Sequence, residues 1–271
     1  MNHKKEFPQD SKVNEISANC WEWPDDDLVP VDLSTYDLSY YSKQGLSQVK
    51  AARRLPEDTP EYWKKRKQFP ILYLVKYVKH ALAEHLYYRL AQTLNLPQQH
   101  VFWGVFPAYP DLVAVAIRFE TNAFFPSAID PLAGTVTYRR RIIPVANALD
   151  KLRHRVLHSF CGSADGNQVM VHAKLLFGSD AADCTPSPHN ASFWHWFLDY
   201  YQAENPTYVP TLLQMMQTIA EHPELPDLVE QELLSAPYPA LRTGIFTHYS
   251  KWLRTTYAGL VEALRISKIK S

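Results

Sequence analysis

The chain has 271 residues, with 28 Lys+Arg against 28 Asp+Glu and no formal net charge, a balance that argues against a general polyanion binder. Glycine is scarce, 8 residues beside 20 prolines, about 3% where ~7% is usual. With glycines only at 45, 104, 134, 162, 166, 178, 244 and 259, neither G-x-G-x-x-G nor G-x-x-x-x-G-K-[ST] can be written, which excludes a Rossmann fingerprint, a Walker loop and an ordinary kinase glycine loop. A content of 46% hydrophobic and 21% charged residues is globular, enough for one sizeable core or two lobes. Cys20, Cys161 and Cys184 form no C-x-x-C pair, and an odd count suits a reducing compartment. Met1–Asp10 is charged and lacks an apolar signal core, and no run of about 18 apolar residues follows. The expectation is a cytoplasmic protein without membrane contact.

In chain order, residues 1–20 read as a polar tail. Trp21–Asp37 holds six acids (Glu22, Asp25, Asp26, Asp27, Asp32, Asp37) and no base, whereas Lys50–Lys67 holds seven bases and three acids. Both runs read first as solvated surface. The basic run, which carries Tyr62 and Trp63, has a second reading as a contact for phosphate, including nucleic acid, or for an acidic partner. Phe69–Tyr77 predicts a strand whose alternation puts Leu72, Leu74 and Lys76 on one face. Leu82, Leu86, Leu90 and Leu94 predict a following helix that ends at Asn95-Leu96-Pro97. Val101–Phe106 and Leu112–Phe119 predict a hairpin around Pro107 and Pro110, and Ala123–Gly134 reads as loop. Val145–Phe160 predicts a helix with Leu149, Leu152, Val156 and Phe160 inward, before two short strands at Gln168–Val171 and Lys174–Phe177. Beyond Pro188 the chain reads as helical, starting near Ser192; the last helix carries a stripe of Ile245, Tyr249, Trp252, Thr256, Leu260 and Leu264. Strands first and helices later predict a two-lobed α+β fold, with a small strand-rich N-lobe over 21–122 and a mostly helical C-lobe over 123–271.

Lys76 is the first residue that asks for an explanation, because an ammonium among leucines is costly unless it is paired or reaches water. Glu84, eight residues on and expected in the first turn of the helix, offers a partner; a strand lysine held by a helix glutamate can grip nucleotide phosphates. The plainer reading of Glu84 is a helix N-terminal acid favoured by the dipole.

The order of these features resembles the HipA-like kinase superfamily, which is related in fold to phosphatidylinositol-type kinases. Gly45-Leu46-Ser47-Gln48-Val49-Lys50 is similar to that family's phosphate loop, with its small-residue, Gln, x, Lys pattern. Leu74-Val75-Lys76 resembles its nucleotide-lysine strand, and EHLYYRLAQTLNLP (Glu84–Pro97) the helix that follows. LVAVAIRFE (Leu112–Glu120) resembles the hinge strand, Gly162-Ser163-Ala164-Asp165-Gly166 the opening of the catalytic loop, and Asp180 the metal-binding aspartate after a short hairpin. The likeness runs over roughly residues 40–185. The C-terminal helices agree only in being helical.

The resemblance implies an ATP- and Mg²⁺-dependent Ser/Thr protein kinase acting on a protein substrate or serving a regulatory protein partner. Lys76 would hold the α/β-phosphates, positioned by Glu84. Backbone amides around Leu46, Ser47 and Gln48, with Lys50 nearby, would cover the β/γ-phosphates. Main-chain groups near Ile117, Arg118 and Phe119 would meet the adenine. Asp165 would take or orient the acceptor proton, and Asp180, with Asp183 as alternative, would bind the metal. The chain departs from the family after Asp165: Asn167 stands where histidine is expected, and Met170, a soft thioether, where an asparagine ligand is expected. Asn167 takes the metal role only if the loop is locally shortened. Otherwise the second metal is lost, which makes the alternative a catalytically degenerate kinase fold that binds nucleotide or a partner.

Three further readings stay open. His154, His158 and Cys161 have an H-x₃-H-x₂-C spacing that sets three zinc-type ligands along one helical edge, against the plain reading of an amphipathic helix. Cys161 or Cys184 could serve as a nucleophile, though no orienting acid for a histidine can be read. The aromatic run Phe193–Tyr201 could stack bases, but helical spacing favours core.

Overall fold

The structure is a computed structural model that describes residues 29–40, 49–162, 168–179, 187–242 and 248–269. Strands β1 (Val31–Asp32), β2 (Tyr36–Tyr40), β3 (Lys50–Arg54), β4 (Ile71–Tyr77), β5 (Val101–Val105) and β6 (Ala114–Arg118) form one sheet in the order β1-β5-β6-β4-β3-β2. Only β1 and β5 run parallel; every other pair is antiparallel. A short helix α1 (Glu61–Lys65) connects β3 to β4, and α2 (Val78–Thr93) follows β4 directly. Strands β1 to β3 were not among the sequence expectations: the acids of the first run and the bases of the second hide their alternation.

The sheet is buried on both faces. Val101, Trp103, Val115 and Ile117 join the large core with α2, while Leu33, Ala52, Val75, Phe102, Ala114 and Ala116 form a smaller core on the other side. Tyr73 packs edge-on to Tyr36 and Phe102 there, at ring-centroid distances of 5.6 and 6.2 Å. Residues 81–88 of α2 are all buried, so the helix is enclosed rather than two-faced, and its polar members Glu84 and His85 must find partners. It ends where expected. Asn95 takes the left-handed position (φ 50°), with Leu96 N–H on the Ala91 carbonyl at 2.8 Å and Asn95 N–H on that of Gln92 at 3.0 Å, a Schellman motif before Pro97.

The stretch read as loop is partly ordered as a sheet. Strands β7 (Ala128–Asp130), β8 (Thr135–Tyr138) and β9 (Arg141–Pro144) make three antiparallel strands, too short and too exposed to show a hydrophobic period. Helix α3 (Asp150–Phe160) starts later than expected and leaves Leu149 exposed. The chain before it is taken by other partners: Val145 N–H donates to Gly134, Ala146 N–H to Lys174, and the Asn147 side chain pairs with both backbone groups of Leu176. Strands β10 (Val169–His172) and β11 (Leu175–Gly178) form the expected hairpin. Helices α4 (Ala191–Glu204), α5 (Val209–Ala220), α6 (Leu225–Ser235) and α7 (His248–Ile269) complete a mixed α+β fold with seven α-helices among the described residues. Their buried faces join α2, α3, β5 and β6 in a single apolar core. On α7, Tyr249, Thr256, Leu260 and Leu264 are buried as expected, together with Leu253 and Ala263, while Trp252 is only half-buried; Ile245 lies outside the described residues. None of the described helices is long and apolar enough to cross a membrane.

Candidate functional site

The alternation of β4 sends Lys76 to the α2 side of the sheet, opposite to Val75. The next element begins without a loop: Val78 opens α2 in the left-handed region (φ 51°), its N–H held by the Val113 carbonyl at 2.8 Å. That abrupt turn lays the helix against its own strand and brings Glu84 to Lys76. The two side chains form an ion pair between Lys76 Nζ and Glu84 Oε1, with Lys76 8% and Glu84 1% exposed. Glu84 stands about one turn further into the helix than expected, because α2 starts at Val78. Two ions removed from water are costly, and mutual attraction offsets that only when the pairing is good.

The opposite flank of α2 is also polar and is paired with α6. His85 Nε2–H donates to Glu232 Oε2 at 3.0 Å and Arg89 Nε–H to Glu232 Oε1 at 2.8 Å, so one carboxylate on α6 holds two residues of α2. Burial pushes the Glu232 carboxyl up, but the His85 hydrogen bond and the His85 and Arg89 charges outweigh it and hold it below the usual range. The His85 ring stacks on Trp103 at 3.9 Å, and Trp103 meets Tyr238 edge-on at 5.7 Å. These residues carry no sequence signal: Glu232 is 147 positions from His85, and one acid between apolar residues of an amphipathic helix looks ordinary.

One turn along α2 from Glu84, Tyr87 reaches His154 on α3. A carbonyl can only accept, so His154 Nε2 carries the proton it gives to Pro97 O at 2.8 Å, and Nδ1 accepts from the Tyr87 hydroxyl at 2.9 Å. Burial lowers this imidazole from 6.5 to about 4, against a smaller opposing effect of Asp150 and the Pro97 hydrogen bond. With both ring nitrogens engaged, His154 has no lone pair for a metal, and no group of three or more metal-ligating side chains occurs among the described residues. The zinc reading of His154, His158 and Cys161 is therefore corrected. Cys161 is buried and its thiol is pushed up by that burial, which corrects the nucleophile reading as well; Cys184 lies outside the described residues.

Pro97 O also accepts from Gly178 N–H at 2.9 Å, and Gly178 O accepts from Gln99 N–H at 2.9 Å. A Cβ at Gly178 would lie 2.0 Å from Gln98 Oε1 and 2.4 Å from His154 Cε1, so only glycine lets β11 lie this close. Next to it, Ser179 N–H donates to Gln168 O at 3.0 Å. The segments that follow Ser179 and precede Gln168 thus join the described chain side by side. Asp165, Asn167, Asp180 and Asp183, expected in those segments, lie outside the described residues, as do Ser47 and Gln48. The 41–48 segment joins Tyr40 to Val49 and Lys50, and Lys50 pairs with Val75, the neighbour of Lys76.

Lys50 itself does not turn to Lys76. Opposed residues of an antiparallel ladder share a face, so Lys50 lies on the Val75 side, its ammonium over the Tyr40 ring at 5.2 Å. The main chain near Arg118 and Phe119 is also committed: Arg118 N–H donates to His100 O, Arg118 O accepts from the Gln99 side chain, and Phe119 N–H donates to Leu72 O, each at 2.9 Å. Because β6 is an inner strand, its backbone is used by its neighbours, and the first main-chain groups beyond the ladder are those of Glu120–Asn122. The Arg118 side chain points out and meets Glu120 at 3.5 Å.

The basic run is divided between β3, a turn and α1. Arg54 reaches the Asp58 carbonyl, Lys64 reaches Glu61 and the Glu57 carbonyl, and Arg66 lies over Trp63 at 5.9 Å. In the aromatic run, Trp194, Phe197 and Tyr201 are core, while Trp196 and Tyr200 are exposed. No family model, curated protein or solved structure matches the chain.

Proposed function

We propose that the chain is an ATP- and Mg²⁺-dependent phosphotransferase of the HipA-like type, acting on a Ser/Thr of a protein substrate. The observation that carries this reading is the buried Lys76–Glu84 pair on consecutive strand and helix. A lysine so held is oriented toward phosphate oxygens it can neutralise, and phosphoryl transfer depends on positioning and charge neutralisation more than on covalent chemistry. Further support comes from chain ends: the 41–48 segment joins the sheet beside Val75, and the segments with Asp165 and Asp180 join at the hydrogen-bonded Gln168 and Ser179. On this reading the sheet through about Asn122 is the small lobe and the remainder the helical lobe. Adenine is met by the main chain of Glu120–Asn122 rather than by Arg118 and Phe119, and Lys50 takes no part in phosphate contact. Asp180, with Asn167 if the loop is locally shortened, would hold the Mg²⁺ ion, which would supply charge neutralisation for the phosphates.

The second reading, a degenerate fold that binds nucleotide or a protein partner without turnover, is favoured by Met170. That thioether sits half-buried on β10 opposite Phe177, where the resemblance expects an oxygen ligand. Incubation with Mg²⁺ and γ-labelled ATP separates the two. Transfer to the chain itself or to an added protein, abolished by Asp165→Ala, Asp180→Ala and Lys76→Met, supports the kinase. Tight ATP binding without transfer supports the binding module, and failure to bind ATP overturns both.

A further inference from the structure

Helix α2 is held by charge on two flanks. On one, Glu84 meets the lysine of β4; on the other, the next residue in sequence, His85, shares the Glu232 carboxylate of α6 with Arg89. Glu232 accepts from both side chains on that flank, and it lies between Val229 and Leu233, both buried in the common core. Arg254 of α7 in turn binds Asp227 and Glu230 of α6, at 2.8 Å for Asp227. Ionic contacts therefore run from the last helix through α6 and α2 to the strand that carries Lys76.

We infer that Glu232 is a positioning residue for the Lys76–Glu84 pair: by fixing His85 and Arg89 it sets the rotation and depth of α2, and with them the grip of Glu84 on Lys76. This rests on the nucleotide reading of that pair. A helix enclosed on all sides moves as a rigid body, so loss of an anchor on one flank is felt at the residue adjoining it on the other. The fold thus gives the C-terminal helices control over a lysine more than 140 positions earlier in the chain.

The test uses the full chain and two readouts. One is the acylation rate of Lys76 by an amine-directed reagent without nucleotide, followed by mass spectrometry with exposed Lys251 as internal control. The other is Mg·ATP affinity by calorimetry. Glu232→Gln keeps the shape and removes the charge; Glu232→Asp keeps the charge and alters the shape. The Gln variant is expected to acylate Lys76 at least fivefold faster, with Lys251 unchanged, and to weaken ATP at least fivefold, in the ordinary range of coupling between sites. The Asp variant should lie closer to wild type, Arg89→Met should behave like Gln, and in a Glu84→Gln background Glu232→Gln should add nothing. A Gln variant equal to wild type, an Asp variant worse than Gln, additive effects, or a parallel rise at Lys251 would overturn the inference. Should wild type take up no Mg·ATP, the nucleotide reading falls while the Lys76 rates still decide whether Glu232 holds the pair.

Discussion

Replacing Lys76 and Glu84 singly and together separates what the pair does for the fold from what it does for a ligand. In Lys76→Met the Glu84 carboxylate, 1% exposed, stays buried without its counter-ion, which costs about 3–5 kcal/mol. Glu84→Leu strands an ammonium instead. Lys76 is 8% exposed and lies next to the strand end, so its stem can carry the charge toward water, and the cost falls near the lower limit, about 3 kcal/mol. The double variant puts two apolar side chains of similar volume in the same space and should lie within about 1 kcal/mol of wild type, because an apolar pair commonly matches a buried ion pair. The singles would then sum to about 6–8 kcal/mol where the double loses about 1 at most, a non-additivity expected of groups in direct contact. Urea unfolding reads it, as shifts of midpoint at constant slope. ATP affinity should be lost in all three variants, the stable double included, as expected if the charges serve a ligand rather than the fold. A double variant as unstable as the two singles added together would refute the energetic argument, and one that still binds ATP would refute the functional one.

His154 makes stability depend on pH. Its imidazole is lowered to about 4 in the folded chain from 6.5, so the unfolded chain takes up the proton first. Stability is whole above about pH 6.5 and falls by about 3 kcal/mol as the pH drops toward 4; in His154→Gln, the unfolding free energies read by urea at pH 7.5 and 4.5 should differ by about 2.5 kcal/mol less than in wild type, and equal differences would count against a neutral His154. Val78 is β-branched, half exposed and left-handed at φ 51°. Asn tolerates that conformation far better, so Val78→Asn should stabilise by about 1 kcal/mol, about 2–4 °C in midpoint, and a lower midpoint would show that the side chain is needed there.

What could be read in the sequence was what depends on near neighbours. The parity of β4 and its distance of eight residues to Glu84 were enough to anticipate the pair. The leucines of α2 and the Asn95-Leu96-Pro97 stop marked the helix and its end, and the β10–β11 hairpin stood out by its apolar runs. Readings failed where a tertiary partner decides. The sequence suggests Lys50 near the phosphates, but only the strand register shows that it lies on the Val75 side, opposite to Lys76. His154 and His158 had ligand spacing, but Tyr87 and Pro97, distant in sequence, occupy both nitrogens of the first. The resemblance puts Arg118 and Phe119 near the adenine, but β6 is an inner strand and its backbone is already bonded to its neighbours. Glu232 had no signal at all, since its role depends on where α6 lands.

The shortage of glycine acquires a structural meaning from where the described glycines sit. Gly104, Gly178 and Gly259 have no left-handed backbone; each sits where a Cβ would come within 2.5 Å of a neighbour, namely Leu33 Cδ1, Gln98 Oε1 and the His189 carbonyl. Of the described glycines only Gly134 and Gly162 have positive φ, whereas Lys67, Val78, Asn95, Asn122, Arg139, Arg140, Ala173 and Lys174 do so without being glycine. Both two-residue hairpin turns, Arg139-Arg140 and Ala173-Lys174, take the primed geometry that ordinarily selects Asn-Gly. Glycine is thus reserved mostly for close approach, and turning is left to residues that bear strain. Of these, Val78 is the only β-branched one, and strain at a β-branched residue persists only where its surroundings over-determine it. It stands two residues from Lys76, at the turn that sets α2 against β4. Among the described residues the one left-handed β-branched position thus stands at the junction on which the Lys76–Glu84 pair depends, where a relaxed loop would let the helix, and Glu84 with it, drift from the strand.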